Sequence, residues 1–429
     1  MRVSFYTLGC KVNAYETEAI MEQFQEAGYE IVDFEEPSDV YVINTCMVTN
    51  SGERKSKQMI RRPLKLNPEA IVIVMGCLSQ LKGEALLKIP GVKIVLGTKN
   101  RHLMISYLEE YLESGIPLNK SEDFDKDEQF ENLSVLDFKN HQRAFVKIQD
   151  GCNNFCTYCI IPYTRGRIRS KQKNEILREV ETLVKNGHKE IVLTGIHTGG
   201  YGEDFDDYSF AQLLRDLEKV KGLKRIRISS IEITELNSEV LSAIHESSKI
   251  VNHLHIPLQS GSNHILKKMN RKYDLKQFDD KIKEIREVFG SMAITTDVIV
   301  GFPGETDEDF KEAYAFIEHI GFQELHVFPY SSREGTPAAK MTDQVDGNVK
   351  KERVHQLLKL SDQLKMTYYE QQVDKVKSVI IEQEKDGWLI GHSRDYVAIK
   401  IKGALSLLGE EVQVRLKAVD WPKMIGIIE

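Results

Sequence analysis

The chain has little cysteine, six residues in 429, and no run of the roughly 18 apolar residues that a membrane-spanning helix needs. The first shortage excludes a disulfide-built scaffold, and the second a helical membrane protein. The opening Met1-Arg2-Val3-Ser4-Phe5-Tyr6 lacks the apolar stretch of a signal peptide, so a reducing, cytosolic compartment is expected and a membrane partner is not. An excess of positive charge is also missing. The net charge of -7 argues at first sight against a nucleic-acid partner, but residues 120–137 hold seven acids and two lysines, so this stretch contributes -5 and the rest of the chain -2. Global charge is therefore a poor guide to partners. A length of 429 residues suggests about three domains.

The cysteines that are present fall into two sets of three. Cys152, Cys156 and Cys159 stand in Asp150-Gly151-Cys152-Asn153-Asn154-Phe155-Cys156-Thr157-Tyr158-Cys159. Such a CxxxCxxC loop offers three thiolates, whereas a structural zinc site wants four ligands, usually from two separated pairs. A 4Fe-4S cluster held by three cysteines keeps one iron free for another ligand. A structural metal loop is the alternative. Cys10, Cys46 and Cys77 each follow a strand-like run, Val3 to Leu8, Val40 to Ile43 and Ile71 to Met75. In an open parallel sheet the carboxyl ends of the strands converge on one edge. A second three-cysteine cluster is therefore expected, against the alternative of ordinary buried cysteines.

Strand-like and helical runs alternate over residues 1–116, with a helical period over Glu16 to Ala27, and predict a small α/β domain with a parallel sheet. The acidic stretch, 117–139, reads as a solvated linker. Over 140–368 strands are expected at Ala144 to Ile148, Glu190 to Thr194, Arg225 to Ser229, Leu254 to Pro257, Thr295 to Val300 and Glu324 to Phe328. Helical runs lie between them, at Asn174 to Asn186, Phe210 to Val220, Glu239 to Ser247, Leu275 to Phe289 and Asp307 to Ile320. This alternation predicts a partial (β/α) barrel with the cysteine loop on its reactive face. Residues 371–429 read as five short strands, a small antiparallel β-barrel of OB-like type. They carry nine basic and nine acidic side chains, so charge does not decide between RNA binding and a packing role.

The whole chain resembles the radical S-adenosylmethionine methylthiotransferases. The motifs that carry the resemblance are Thr7-Leu8-Gly9-Cys10-Lys11-Val12-Asn13, Asn44-Thr45-Cys46, Gly76-Cys77, the CxxxCxxC loop, Ile256-Pro257-Leu258-Gln259-Ser260-Gly261-Ser262 and Gly301-Phe302-Pro303-Gly304-Glu305-Thr306. The resemblance implies an N-terminal cluster-binding domain over 1–116, a radical core over 140–368 and a C-terminal TRAM domain over 371–429. It implies that Cys152, Cys156 and Cys159 hold a 4Fe-4S cluster whose open iron chelates S-adenosylmethionine, the source of a 5′-deoxyadenosyl radical. It implies a second 4Fe-4S cluster on Cys10, Cys46 and Cys77, whose open iron carries the sulfur to be transferred. An aromatic C–H bond is too strong for acid–base removal, which is why such chemistry needs a radical and a waiting sulfur donor.

Within that family, Leu8-Gly9-Cys10-Lys11-Val12-Asn13 is similar to the branch that methylthiolates carbon 2 of N6-threonylcarbamoyladenosine at position 37 of tRNA. The branch acting on isopentenyladenosine usually reads Gly-Cys-Gln-Met-Asn here. Isopentenyladenosine tRNA and a ribosomal-protein aspartate are the alternative acceptors, and a non-catalytic iron–sulfur RNA-binding protein is the alternative of another class. The expected partners are tRNA, met through its anticodon stem-loop, and an electron donor such as flavodoxin or ferredoxin. The sequence does not bear on oligomeric state.

By the same resemblance Tyr158 packs the adenine of S-adenosylmethionine, with core packing as the alternative. Gly195 would admit the methionine amino group, or simply make a turn. Ser229, Glu232, Gln259 and Arg271 are polar positions near strand ends, suited to ribose and carboxylate contacts or to the surface. Asp297, on an otherwise apolar strand, would orient cofactor or substrate, or cap a turn. Arg165, Arg167 and Arg169, followed by Lys171 and Lys173, alternate with uncharged residues and are expected to line one side of an extended segment against tRNA phosphates. Arg54, Lys55, Lys57, Arg61 and Arg62 form another basic cluster. Solvated faces are the alternative for both.

Overall fold

The N-terminal strands are continuous apolar runs, the pattern of strands buried on both faces. In the computed structural model, which describes residues 1–125, 128–138 and 142–429, they form one sheet. Its strands are β1 (Arg2–Thr7), β2 (Glu30–Ile31), β3 (Val40–Thr45), β4 (Ile71–Gly76), β5 (Val92–Leu96) and β6 (Leu118–Lys120), in the order β2-β1-β3-β4-β5-β6. Every join is parallel. The neighbours β1, β3 and β4 therefore carry Cys10, Cys46 and Cys77 to one carboxyl edge. The first helix, Lys11–Glu26, starts a turn earlier than its apolar period suggests, because Asn13 and Glu16 are polar residues that it buries.

The stretch expected as a linker is largely structural. Leu118–Lys120 is the edge strand β6, and Leu133, Val135 and Phe138 are buried in the main core. The acids that suggested solvation pair inward: Glu131 accepts from Arg101 Nη2 at 2.6 Å. The expected linker end and core start, residues 139 and 140, lie outside the described residues, as do 126, 127 and 141.

The core opens with β7 (Arg143–Lys147), then a short antiparallel ribbon of β8 (Gln149–Asp150) and β9 (Arg169–Ser170). It continues with β10 (Glu190–Thr194), β11 (Arg225–Ile228), β12 (His253–His255), β13 (Ala293–Val300) and β14 (Glu324–Pro329). Two parallel sheets, β11-β10-β7 and β12-β13-β14, are joined by the parallel bridges Ile226↔Ile250 and Ser230↔His255, giving a six-stranded arc. Leu254 and Ile294 pack with Phe278, Ile282 and Ile317 of the covering helices. Period two then turns polar side chains to the other face, where His253 Nε2 and His255 Nδ1 meet Thr295 Oγ1 at 3.0 and 2.9 Å. The helices Leu275–Phe289 and Asp307–Ile320 open on capping boxes at Asp274/Gln277 and Thr306/Asp309.

A 24-residue helix, Gly347–Glu370, leads to the C-terminal barrel. Its strands β15 (Val376–Lys385), β16 (Trp388–Ser393), β17 (Ala398–Ile401), β18 (Glu411–Asp420) and β19 (Lys423–Ile428) close in the order β15-β16-β17-β19-β18. The barrel is not wholly antiparallel: β17 and β19 pair in parallel and make the closure. It is fastened to the core by Arg225, which is fully buried, donates from Nη2 to Ser378 O at 2.8 Å and pairs with Glu411 at 2.9 Å. Among the described residues no helix is long and apolar enough to cross a membrane.

The N-terminal sheet and the core meet at a buried ion cluster. Glu16 Oε1 lies 2.6 Å from Arg101 Nη1, 2.8 Å from Lys147 Nζ and 2.8 Å from Arg165 Nη1, and Asp150 Oδ2 lies 2.6 Å from Lys147 Nζ. Burial alone would raise the Glu16 pKa, but the three cations outweigh it and hold the carboxyl far below its usual range. Glu131, half-buried, is held at about 2 by Arg101 and His102. A carboxylate whose pKa is lower folded than unfolded stabilises fully above its unfolded pKa, and that stability is lost as pH falls through the folded one. The urea midpoint of the apoprotein is expected to be level from about pH 8 to 5 and to drop below about pH 4. A midpoint unchanged at pH 3 would contradict the assignment.

Candidate active site

The cysteine loop is pinned at both ends by the β8–β9 ribbon. Gly151 has φ 74°, and a Cβ there would sit 1.9 Å from Arg167 O, so only glycine fits the turn. Cys152 N donates to Gly166 O at 3.1 Å, and Cys159 N to Cys156 O at 2.9 Å. All three thiols are free. Burial pushes Cys152 and Cys159 up to about 12, so a metal centre must displace their protons as it binds. Arg271 faces them: Nη1 donates to Cys156 Sγ at 3.3 Å, Nε to Tyr273 Oη at 3.1 Å, and Nη2 pairs with Glu232. A set of three thiols beside a guanidinium suits a net-negative iron–sulfur cluster better than a closed zinc site.

The other residues expected to bind cofactor are held in different ways. Tyr158 packs beside Phe302, with ring centroids 6.5 Å apart, in a pocket shared with Ile265 and Met269. Ser229 Oγ lies 2.9 Å from Thr198 Oγ1. Gln259 adopts φ 64° with its backbone locked to β13, donating to Asp297 O at 2.9 Å and accepting from Ile299 N at 2.8 Å. At Gly195 a Cβ would stand 2.9 Å from Gln149 Oε1, which itself accepts from His197 N at 2.8 Å. Asp297 faces His255 and His326 rather than capping a turn. Sequence reasoning missed His197, a buried residue held by Glu235 and by Asn154 Nδ2 at 3.2 Å. Asn154 lies inside the cysteine loop and was the one available signal.

The second thiol set sits across the ion cluster. Gly9, at φ 116°, brings Cys10 against Cys46: a Cβ on Gly9 would be 3.2 Å from Cys46 Cβ. Asn13 ties the loops together, donating from Nδ2 to Leu8 O at 2.8 Å and Thr45 O at 3.1 Å. Its Oδ1 accepts from Cys10 Sγ at 3.6 Å and from Arg165 Nη2 at 3.0 Å. Burial raises Cys46 to about 11. Both thiol sets thus reach a common hydrogen-bonded frame through Asn13 and Arg165.

This frame overturns part of the expected basic stripe. Arg165 is fully buried in the last turn of the helix Ile161–Arg165, Arg169 is 7% exposed over the Phe124 ring, and Lys171 is buried against Glu179. Their charges are neutralised inside the protein, so neither Arg165 nor Arg169 presents a phosphate contact. The alternation was real but spanned a helix end and the β9 pairing rather than a free extended segment. Arg167 alone of the three stays exposed, 5.6 Å from the ring of Phe155, which meets Tyr163 at 6.3 Å. Phe155 and Tyr163 are 39% and 45% exposed, a cationic aromatic lip on the cysteine loop. The other basic cluster lines a groove of about 890 Å³ with Arg54, Lys57, Arg61, Arg62 and Lys65.

A family model described as the radical SAM superfamily matches residues 146–317, and one described as uncharacterized protein family UPF0004 matches residues 2–97. A Bacillus subtilis (strain 168) protein named threonylcarbamoyladenosine tRNA methylthiotransferase MtaB is 51% identical over 426 residues, 98% of this chain and 94% of its own. A Clostridium perfringens (strain SM101) protein named tRNA-2-methylthio-N(6)-dimethylallyladenosine synthase is 35% identical, covering 98% of this chain and 96% of its own. Among solved structures, the radical S-adenosylmethionine methyltransferase TsrM from Kitasatospora setae superposes with a TM-score of 0.59 at 12% identity, over 79% of this chain and 77% of that one. That likeness is one of fold.

Proposed function

The chain belongs to the radical S-adenosylmethionine methylthiotransferases, and from that premise we propose that it adds a methylthio group to carbon 2 of N6-threonylcarbamoyladenosine at position 37 of tRNA. The observation that carries the reading is the near full-length identity of 51% to a threonylcarbamoyladenosine tRNA methylthiotransferase, against 35% to a dimethylallyladenosine enzyme. Two 4Fe-4S clusters are its cofactors with S-adenosylmethionine: one, on Cys152, Cys156 and Cys159, supplies the electron for radical formation, and the other, on Cys10, Cys46 and Cys77, supplies the sulfur.

The protein's own side chains position and shield. Arg271 and Glu232 place a hydrogen-bonded ion pair beside the radical-forming thiols, suited to the charged methionine end of S-adenosylmethionine. Tyr158 and Phe302 form an apolar wall suited to its adenine. Asn13 and Arg165 hold the two thiol sets in register. A one-electron donor of flavodoxin or ferredoxin type is the reductant such chemistry requires.

The anticodon stem-loop docks on the groove of Arg54 and Arg61, and an unstacked base lies on the lip of Phe155, Tyr163 and Arg167. Replacing Arg54 and Arg61 together by Glu is expected to weaken tRNA binding and to flatten the log–log salt dependence by roughly 1.5. An unchanged slope would remove the groove from the interface. The function itself is tested by deleting the gene and measuring nucleosides of bulk tRNA by mass spectrometry. Loss of the 2-methylthio-threonylcarbamoyl nucleoside with accumulation of its unthiolated precursor supports it, and an unchanged profile refutes it.

A further inference from the structure

Arg227, Arg143 and His253 gather in the core around the ring of Tyr396. Arg227, 4% exposed, gives Nε to Glu190 at 2.7 Å and lies 4.7 Å from the ring of Tyr396, yet its Nη1 finds no acceptor. His253, 6% exposed, stands 5.1 Å from the same ring, and its Nδ1 also has no partner. Arg143 lies 5.5 Å from the same ring. Lys11, exposed beside Cys10, lies within electrostatic reach of Tyr396, Arg143 and Arg227. Among the described residues Lys11 makes no ion pair. The nearby acids are already engaged, Glu190 by Arg225 and Arg227, and Glu382 by Arg143 and His392.

Buried donors without acceptors are costly unless a ligand completes them. A wall with an idle guanidinium nitrogen beside a lysine that makes no ion pair calls for an anion. Resting on the function proposed above, the substrate base itself carries one, the carboxylate of its N6 arm. The arm and carbon 2 flank the same ring nitrogen on one edge of the base. A base that offers carbon 2 to the sulfur site at Cys10 therefore brings its arm beside Lys11, the next residue.

We propose that Lys11, with the idle Nη1 of Arg227, seats the threonylcarbamoyl carboxylate and so selects this base over one with a hydrocarbon N6 substituent. A hydrocarbon arm leaves the buried Nη1 of Arg227 unpaired, and a site built for a polar group rejects a partner lacking it.

The test uses the reconstituted holoenzyme and two anticodon stem-loop RNAs that differ only in the arm, the free acid and its methyl ester. The wild type is expected to bind the acid at least about tenfold more tightly and to show the same preference in kcat/KM. In Lys11→Gln the acid-to-ester ratio is expected to fall to near one, mostly through KM, and Lys11→Arg to restore it. Iron and sulfide content accompanies each variant, since Lys11 adjoins a ligand. If Lys11→Gln loses iron, the wild-type comparison decides by itself. Equal wild-type affinity for acid and ester overturns the proposal, as a seat for RNA phosphate would give. So does an iron-replete Lys11→Gln that keeps the wild-type ratio. A wild-type holoenzyme that converts neither stem-loop but does convert the isopentenyl one defeats the function reading instead.

Discussion

Replacing Cys156 by Ala is expected to lower iron from about eight to about four per chain and to abolish formation of 5′-deoxyadenosine, with no methylthiolated tRNA above background. Replacing Cys46 by Ala should remove a similar amount of iron and all methylthiolation while S-adenosylmethionine cleavage persists. The asymmetry follows from position. Cys156 accepts a hydrogen bond from Arg271 at the mouth of the core, whereas Cys46 lies at the carboxyl edge of the N-terminal sheet between Cys10 and Cys77. Anaerobic reconstitution, iron and sulfide assay, and quantification of 5′-deoxyadenosine and modified nucleoside distinguish the two. If either single variant loses both halves of the iron, the two sites are not independent and the assignment of separate tasks fails.

Arg165→Met is expected to be the most damaging substitution away from the thiols. It removes one cation from Glu16 and Asp150, both buried, and leaves Asn13 Oδ1 without the guanidinium donor. Breaking a buried pair by deleting one partner typically costs about 3–5 kcal/mol, because the remaining charge stays buried and less compensated. Chemical denaturation should report a loss of that order. Arg165→Lys should recover part of it, since an ammonium restores the charge but not the fork that reaches Glu16, Asp150 and Asn13 together. A variant that unfolds at the wild-type midpoint would show that Lys147 and Arg101 suffice. Activity should fall further than stability, because the same side chain links the loops that hold the two sites.

The strands of the core were legible because parallel strands buried on one face are apolar and short, and their carboxyl ends are marked by turns. Glu190–Thr194 and the helices Leu275–Phe289 and Asp307–Ile320 match the sequence reading residue for residue. The helix Gly347–Glu370 was not read, because its buried face mixes Arg353 and Ser361 with Leu357 and Leu360 and blurs the apolar period. The strap through Leu133, Val135 and Phe138 was obscured by neighbouring acids whose partners are distant in sequence, such as Arg101 for Glu131. The same long-range pairing hid the fate of Arg165 and Arg169, since a basic run looks alike whether it faces water or Asp150. Cysteine spacing survived because local loop geometry defines it. Of the wall of Lys11, Arg227 and His253 only Lys11 left a local trace, in the Leu8 to Asn13 motif, because the wall is assembled from three separate segments around Tyr396.

The attachment of the C-terminal barrel has a consequence for scale. Arg225 is closed in by Ser378 and Glu411, and Tyr396 reaches from the barrel between the core's Arg143, Arg227 and His253, so the barrel cannot swing on a tether. Its distance from the cysteine loop is set by the fold. An RNA that touches both is therefore measured as by a fixed calliper, accepted or refused by the span between its contact point and the base it offers.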